Sequence, residues 1–196
     1  MKFRYKIAKF LVKKIDRWAQ IKIESNLKLK NYLEDYKKTS PSTGCSYSDY
    51  LLLYQYIKKH KPKAILECGT GVSTIIIAHA LKENEEQFGI HDWQLVSMEE
   101  NAYYYEVAIK SLPAILKNDA RLKIVLSETM ENSCEPFHGL RCKEIPKDIL
   151  YDFVFIDGPT LISNPTNKII SFNYDFVKLV NESDHPISAL VDTRIN

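Results

Sequence analysis

The feature that most narrows the possible folds is the run Ala64-Ile65-Leu66-Glu67-Cys68, followed at once by Gly69-Thr70-Gly71. Its length and apolar character suit a strand buried on both faces of a parallel sheet. Glycines directly after such a strand let a backbone or ligand come close, and the first amides of a following helix point into the same space. The rhythm then repeats. Strands are expected over Gln94–Met98, Leu122–Leu126, Asp152–Ile156 and Ile187–Val191. Helices are expected over Ser73–Lys82, over Ala102–Lys117 with a bend tolerated at Pro113, and near Ser171–Asn181. Crossovers this long between strands imply an α/β fold, a doubly wound, mostly parallel sheet with helices on both faces. Ligands of such sheets bind at the carboxyl ends of the strands, near the point where the strand order reverses.

That rule gathers a set of residues into one crevice. Glu67, Cys68, Gly69, Thr70 and Gly71 end the first strand, and Ser73 is a natural cap for the next helix. Glu99 and Glu100 end the second strand, Ser127 and Glu128 the third, and Asp157 the fourth. A carboxylate at Glu99 suits the two hydroxyls of a ribose, which it can accept together. Plainer readings stand beside these: a tight strand-to-helix turn without a ligand, and an acidic helix start before Asn101. The nicotinamide fingerprint wants a third small residue three places after its second glycine, and Thr74 occupies that place. An NAD-linked oxidoreductase is therefore a secondary reading, as is a nucleoside-binding assembly module without catalysis.

Taken together, Ile65-Leu66-Glu67-Cys68-Gly69-Thr70-Gly71, Val96-Ser97-Met98-Glu99-Glu100-Asn101 and Tyr151-Asp152-Phe153-Val154-Phe155-Ile156-Asp157-Gly158 resemble successive motifs of the class I S-adenosylmethionine-dependent methyltransferases. The resemblance covers about residues 60–192. It implies S-adenosylmethionine as cofactor, with Glu67 and the glycine turn along its methionine part, Glu99 on the ribose and Ser127-Glu128 by the adenine. Asp157 would face both cofactor and acceptor, and is the candidate catalytic residue. The implied acceptor is a small molecule, a sugar or a lipid-linked compound. Two departures qualify the likeness. Only four residues follow Asp192, so the family's sixth and seventh strands are absent and the sheet is shortened; an uncovered edge pairs readily with another chain, which points to a homo-oligomer or to shielding by the N-terminal helices. Asp157 and Asp192 also resemble the Mg²⁺ pair of the catechol-type members, but Thr193 stands where that subfamily has an amide, so no metal ligand is assigned.

The charge is uneven. Residues 1–60 hold 14 Lys/Arg against 5 Asp/Glu, and residues 61–196 hold 13 against 20. This divides the chain into a basic N-terminal helical extension, 1–60, and the cofactor-binding domain, 61–196. Phe3, Ile7, Phe10, Leu11, Ile15 and Trp18 recur at helical spacing among lysines. Such a stripe can pack on the main domain or on a second copy, or lie on an anionic membrane surface through residues 1–23. Nucleic acid is not expected, because no aromatic-and-basic strand pattern accompanies it. Residues 37–44 read as a loop, and Ser46-Tyr47-Ser48-Asp49 as a capping box opening a helix to about Lys59. Four unevenly spaced cysteines and no leader-like start favour a cytoplasmic location, with membrane association as its variant. Cys134-x-x-x-His138-x-x-x-Cys142 lacks a clear fourth zinc ligand and reads as a loop, and His185 reads as a turn residue. No recognition motif stands out in segments 34–50, 129–150 or 158–170, where an acceptor would be selected.

Overall fold

A computed structural model of the chain describes residues 2–40, 44–134, 137–158 and 172–192. Five strands, β1 (Ala64–Cys68), β2 (Gln94–Glu99), β3 (Leu122–Leu126), β6 (Phe153–Ile156) and β8 (Ser188–Val191), form one parallel sheet in the order β3-β2-β1-β6-β8. The chain steps outward from β1 through β2 to β3, then returns to the far side of β1 with β6. The tips of β1 and β6 therefore flank the switch point. This is the doubly wound α/β fold expected from the sequence, shortened to five strands among the described residues.

Alternation along the strands sorts side chains between two cores. Ile65, Leu95, Phe153 and Phe155 face α4 (Val72–Phe88), while Leu66, Cys68, Val96, Met98, Val154 and Ile156 face Cys142, Tyr151 and α7 (Tyr174–Glu182). Every residue of α4 from Val72 to Leu81 is buried, which explains a first half that carries apolar residues on all sides. The sheet covers one side. The others are covered by α2 (Leu27–Thr39) and α3 (Tyr47–His60), with α1 (Lys2–Glu24) packed on α3. A half-buried polar cluster fastens these helices to α4: Asn26 donates to Glu83 and meets His79 Nε2 at 3.0 Å, and Tyr54 donates to Glu83. Burial holds the His79 imidazole below its usual pKa, against the pull of the Glu83 carboxylate. The boundary at residue 60 thus marks a change of charge, while one apolar core runs across it.

Several expectations need correction. The described part of the α1 stripe does not pack on the domain: Phe10, Leu11, Ile15 and Trp18 are each more than half exposed, and Ala19 and Ile23 make the buried face instead; the Phe3 and Ile7 side chains lie outside the described residues. Residues 37–39, expected in a loop, finish α2, whose start is capped by the Asn26 side chain. Pro113 does more than bend a helix. It separates α5 (Ala102–Ser111) from α6 (Ala114–Lys117), because its ring removes a backbone donor and forces Leu112 into an extended conformation. The segment around Cys134, His138 and Cys142 is a hairpin, not a loop: β4 (Thr129–Cys134) pairs antiparallel with β5 (Phe137–Cys142), and β7 (Phe172–Asn173) adds a parallel strand to β5. The N-terminal helices cover the α4 face, and β8 remains the sheet's last strand beyond β6. Thr193 lies outside the described residues.

The start of β1 is pinned from the neighbouring strand. The Asp152 carboxylate accepts from the amides of Lys63 and Ala64 at 2.8 and 3.0 Å, setting the register in which Ile65 pairs with Phe153. Asp152→Ala leaves both amides to water and is expected to lower stability by about 1–2 kcal/mol. Urea unfolding followed by circular dichroism measures this; an unchanged midpoint would contradict it.

Candidate functional site

The strand tips meet through backbone contacts that only small residues permit. Gly69 has φ +95°, a conformation L side chains rarely adopt, and a Cβ there would lie 3.2 Å from Gly158 N. Reciprocally, a Cβ on Gly158 would lie 3.2 Å from Gly69 Cα. The turns after β1 and β6 therefore lie glycine against glycine, and Gly69 N donates to Met98 O across to β2. One floor joins three strand ends.

Beneath that floor is a buried carboxylate. By strand alternation Glu67 shares the α4 face with Ile65, and its Oε2 accepts from Thr74 Oγ1 and Ser97 Oγ, both at 2.6 Å. Thr74 Oγ1 in turn accepts from Gly71 N at 3.0 Å. This explains Thr74. Where the nicotinamide fingerprint has a small residue, the hydroxyl closes the first turn of α4 and ties it to β1 and β2. The cap is consequently Gly71 with Thr74, and Ser73, expected as the cap, is a buried residue inside the first turn. Burial pushes the Glu67 carboxyl up to about 7, against the pull of the neighbouring hydroxyls, and its Oε1 makes no hydrogen bond.

Glu99 stands at the rim of the same turn. Its Oε2 accepts from the Thr70 amide and the Thr70 hydroxyl, both at 3.2 Å, and its Oε1 accepts from Asn101 N at 3.0 Å. The separation in sequence is bridged as the ribose reading requires: the second strand's carboxylate reaches the glycine turn. A carboxylate offers about four acceptor positions, and three are used here. Burial raises the Glu99 pKa, so the site favours a ligand whose donors stabilise the charge. Glu100 follows it, half-buried.

The third strand contributes less than expected. Ser127 is buried, but its hydroxyl is engaged with Glu128 O and Glu144 N. Glu128 is 80% exposed and ion-paired with Lys143 on the hairpin, outside the crevice. The Cys68 thiol also points away, toward Asp175 on the α7 side, so only its backbone serves the turn: Cys68 O accepts from Asp157 N.

Asp157 brings in a residue that the sequence did not single out. The Cys45 thiol donates to Asp157 Oδ2 at 3.2 Å, held by the Tyr50 hydroxyl, which accepts from Cys45 N at 2.8 Å. Burial pushes the thiol pKa up, reinforced by the Asp157 and Asp192 carboxylates. Gly44, at φ +61°, passes so close to Tyr50 that a Cβ would collide with its hydroxyl oxygen. The connection between α2 and α3 thus crosses the crevice beside Asp157. Its only sequence signal is the capping box that starts α3 just after Cys45, which the structure contains.

Ligand atoms of Cys45, Asp157 and Asp192 lie within 4.8 Å of one another. Mg²⁺ demands oxygen ligands in near-octahedral geometry, and a thiol as third donor does not fit it. An open cavity of about 560 Å³ lies elsewhere, between the end of α4 and the β3 side, lined by Lys82, Glu85, His91 and Arg121. Its charges neutralise one another through Arg121–Glu85, Arg121–Asp119 and Lys82–Asp119 pairs.

Fold and site together define a Rossmann-like α/β domain with a glycine-floored, carboxylate-rimmed crevice at its switch point. No family profile matches the chain, and no curated protein does. Among solved structures it is similar to a putative caffeoyl-CoA O-methyltransferase from Staphylococcus aureus, with 23% identity, 76% of this chain and 58% of that one covered, and TM-score 0.45. It is also similar to an O-methyltransferase from Bacillus cereus in complex with SAH (19% identity, 67% and 56% covered, TM-score 0.45). A third is the O-methyltransferase TomG from Streptomyces achromogenes in complex with SAM (20% identity, 80% and 70% covered, TM-score 0.43). The chain spans about half the length of several structures it matches. Likeness this remote does not assign an activity.

The buried Glu67 carboxyl gives a pH signature. Its folded pKa of about 7 lies above the ordinary 4.5, so its contribution to stability is fully present below pH 4.5 and is lost as pH rises through 7. Glu67→Gln keeps an oxygen for Thr74 and Ser97 and removes the titration. Relative to this variant, the wild type is expected to lose about 1–3 kcal/mol between pH 4.5 and 8, read by urea denaturation at both values. Parallel pH profiles would contradict the assignment.

Proposed function

We propose that this chain is the cofactor-binding domain of an S-adenosylmethionine-dependent methyltransferase acting on a small-molecule, sugar or lipid-linked acceptor. The observation that carries the reading is the Glu99 carboxylate bonded to Thr70 within the glycine turn. A ribose seated there exchanges its hydroxyls for the Thr70 hydroxyl without stripping the carboxylate of donors. The Gly69–Gly158 floor lets the backbone of the turn lie close to the strand tips.

When bound, S-adenosylmethionine supplies a methyl group already made electrophilic by its sulfonium. The protein's task is then alignment, which is worth several kcal/mol, on the order of 7–11 at best. Glu99 anchors the nucleoside, and the glycine turn sets its depth. Asp157, at the tip of β6, receives the proton of a hydroxyl acceptor or orients that acceptor. The Cys45 thiol, bonded to the same carboxylate, holds Asp157 in place and limits the acceptor's width. Thr74 weighs against the NAD-linked reading, since the third small residue of that fingerprint is replaced by a side chain with a structural duty.

Isothermal titration with S-adenosylhomocysteine and with NAD⁺ tests the proposal. The expected result is binding of the first alone, weakened about tenfold or more by Glu99→Ala and less by Glu99→Gln, with the fold of each variant checked by circular dichroism. Binding of NAD⁺ alone would transfer the chain to the oxidoreductases. Binding of S-adenosylhomocysteine without methyl release from S-adenosylmethionine in cell extract would leave a non-catalytic module.

A further inference from the structure

The outward side of α1 is an unpartnered apolar face set among positive charge. Phe10, Leu11, Ile15, Trp18 and Ile21 are 52–57% exposed, and at about 100° per residue they fall within one arc of about 140°. The side that packs on α3 carries Ala19 and Ile23, with the Asp16 carboxylate accepting from Ser48 N at 3.0 Å, so the exposed arc is not the helix's docking side within this fold. Residues 1–23 contain eight Lys/Arg and one Asp, a net of +7. The charges are not confined to the opposite side. Lys14 lies inside the apolar arc, one turn from both Phe10 and Trp18, with its ammonium 4.7 Å from the centre of the Phe10 ring; Lys22 falls inside the arc as well, and Arg17 flanks it.

We propose that this face of α1 docks on an anionic lipid surface, lying in the plane of the headgroups. Charge complementarity selects this occupant. A protein partner covering the arc would bury Lys14 between two aromatic residues, and lysine is depleted from the cores of protein interfaces. Two copies meeting arc to arc would in addition bring two strongly positive helices together. At a lipid interface the same lysine stem lies along the apolar side chains while its ammonium reaches the phosphates. No helix among the described residues is long and apolar enough to cross a membrane, so the contact is peripheral. The proposal does not depend on the methyl-transfer reading.

The test is sedimentation of the full chain with phosphatidylcholine vesicles and with phosphatidylcholine–phosphatidylserine vesicles. The expected result is co-sedimentation with the anionic vesicles, at least about tenfold weaker on the neutral ones and at high salt, because surface charge is screened within about a Debye length. Trp93 is fully buried, so a blue shift of tryptophan emission on vesicle addition reports Trp18. The double variant Phe10→Ser, Trp18→Ser alters only exposed positions and is expected to lose vesicle binding while unfolding at an unchanged urea midpoint. Equal sedimentation of wild type and variant overturns the proposal. So does absence of vesicle binding, including a dimer in analytical ultracentrifugation that the same double variant dissociates, which would make a second copy the occupant.

Discussion

The structure turns on a carboxyl group that never reaches the surface. Glu67 on β1, Thr74 on α4 and Ser97 on β2 form one hydrogen-bonded knot, and the Thr74 hydroxyl passes it on to the amide of Gly71. With both strands and the helix fixed at this point, the glycine turn above it is held in one shape. Glu99 can then meet Thr70, and Gly69 can rest against Gly158. A buried carboxyl is costly when ionised, so the knot is stable because proton and hydroxyls share its demand for partners.

Covering α4 on every side has a second consequence. A helix whose entire first half is buried needs a third layer, and α2 and α3 supply it. The same arrangement carries the connection before α3 across the strand tips and delivers Cys45 to Asp157. The N-terminal basic region thereby completes the site as well as the core. Among the described residues α1 keeps an exposed apolar face, with Ala19 and Ile23 buried on its inward side.

Much of this could be read from residues alone. Short β-branched and aromatic runs at regular spacing specify the five parallel strands, and a glycine turn plus a strand-end glutamate specify which tips converge. What escaped had no local signature. The hairpin Thr129–Cys142 is polar and shows no clean alternation, so its pairing depends on contacts with β7 and Asp175, whose carboxylate accepts from Cys142 N. Glu128 looked like a crevice residue by its place after β3, yet the hairpin draws it outward to Lys143. Ser73 looked like a helix cap because caps favour serine, but the helix starts at Val72 and its cap is Gly71, two residues before Ser73. Amphipathicity announced α1, while which side it packs was decided by steric fit to α3.

The central claim is that a nucleoside sits on the tips of β1, β2 and β6. Amide-resolved NMR of the ¹⁵N-labelled chain titrated with S-adenosylhomocysteine tests it most directly. The account predicts saturable shifts concentrated at Gly69, Thr70, Gly71, Glu99 and Asp157. Shifts elsewhere that leave those five amides unmoved, or none at all, would contradict it.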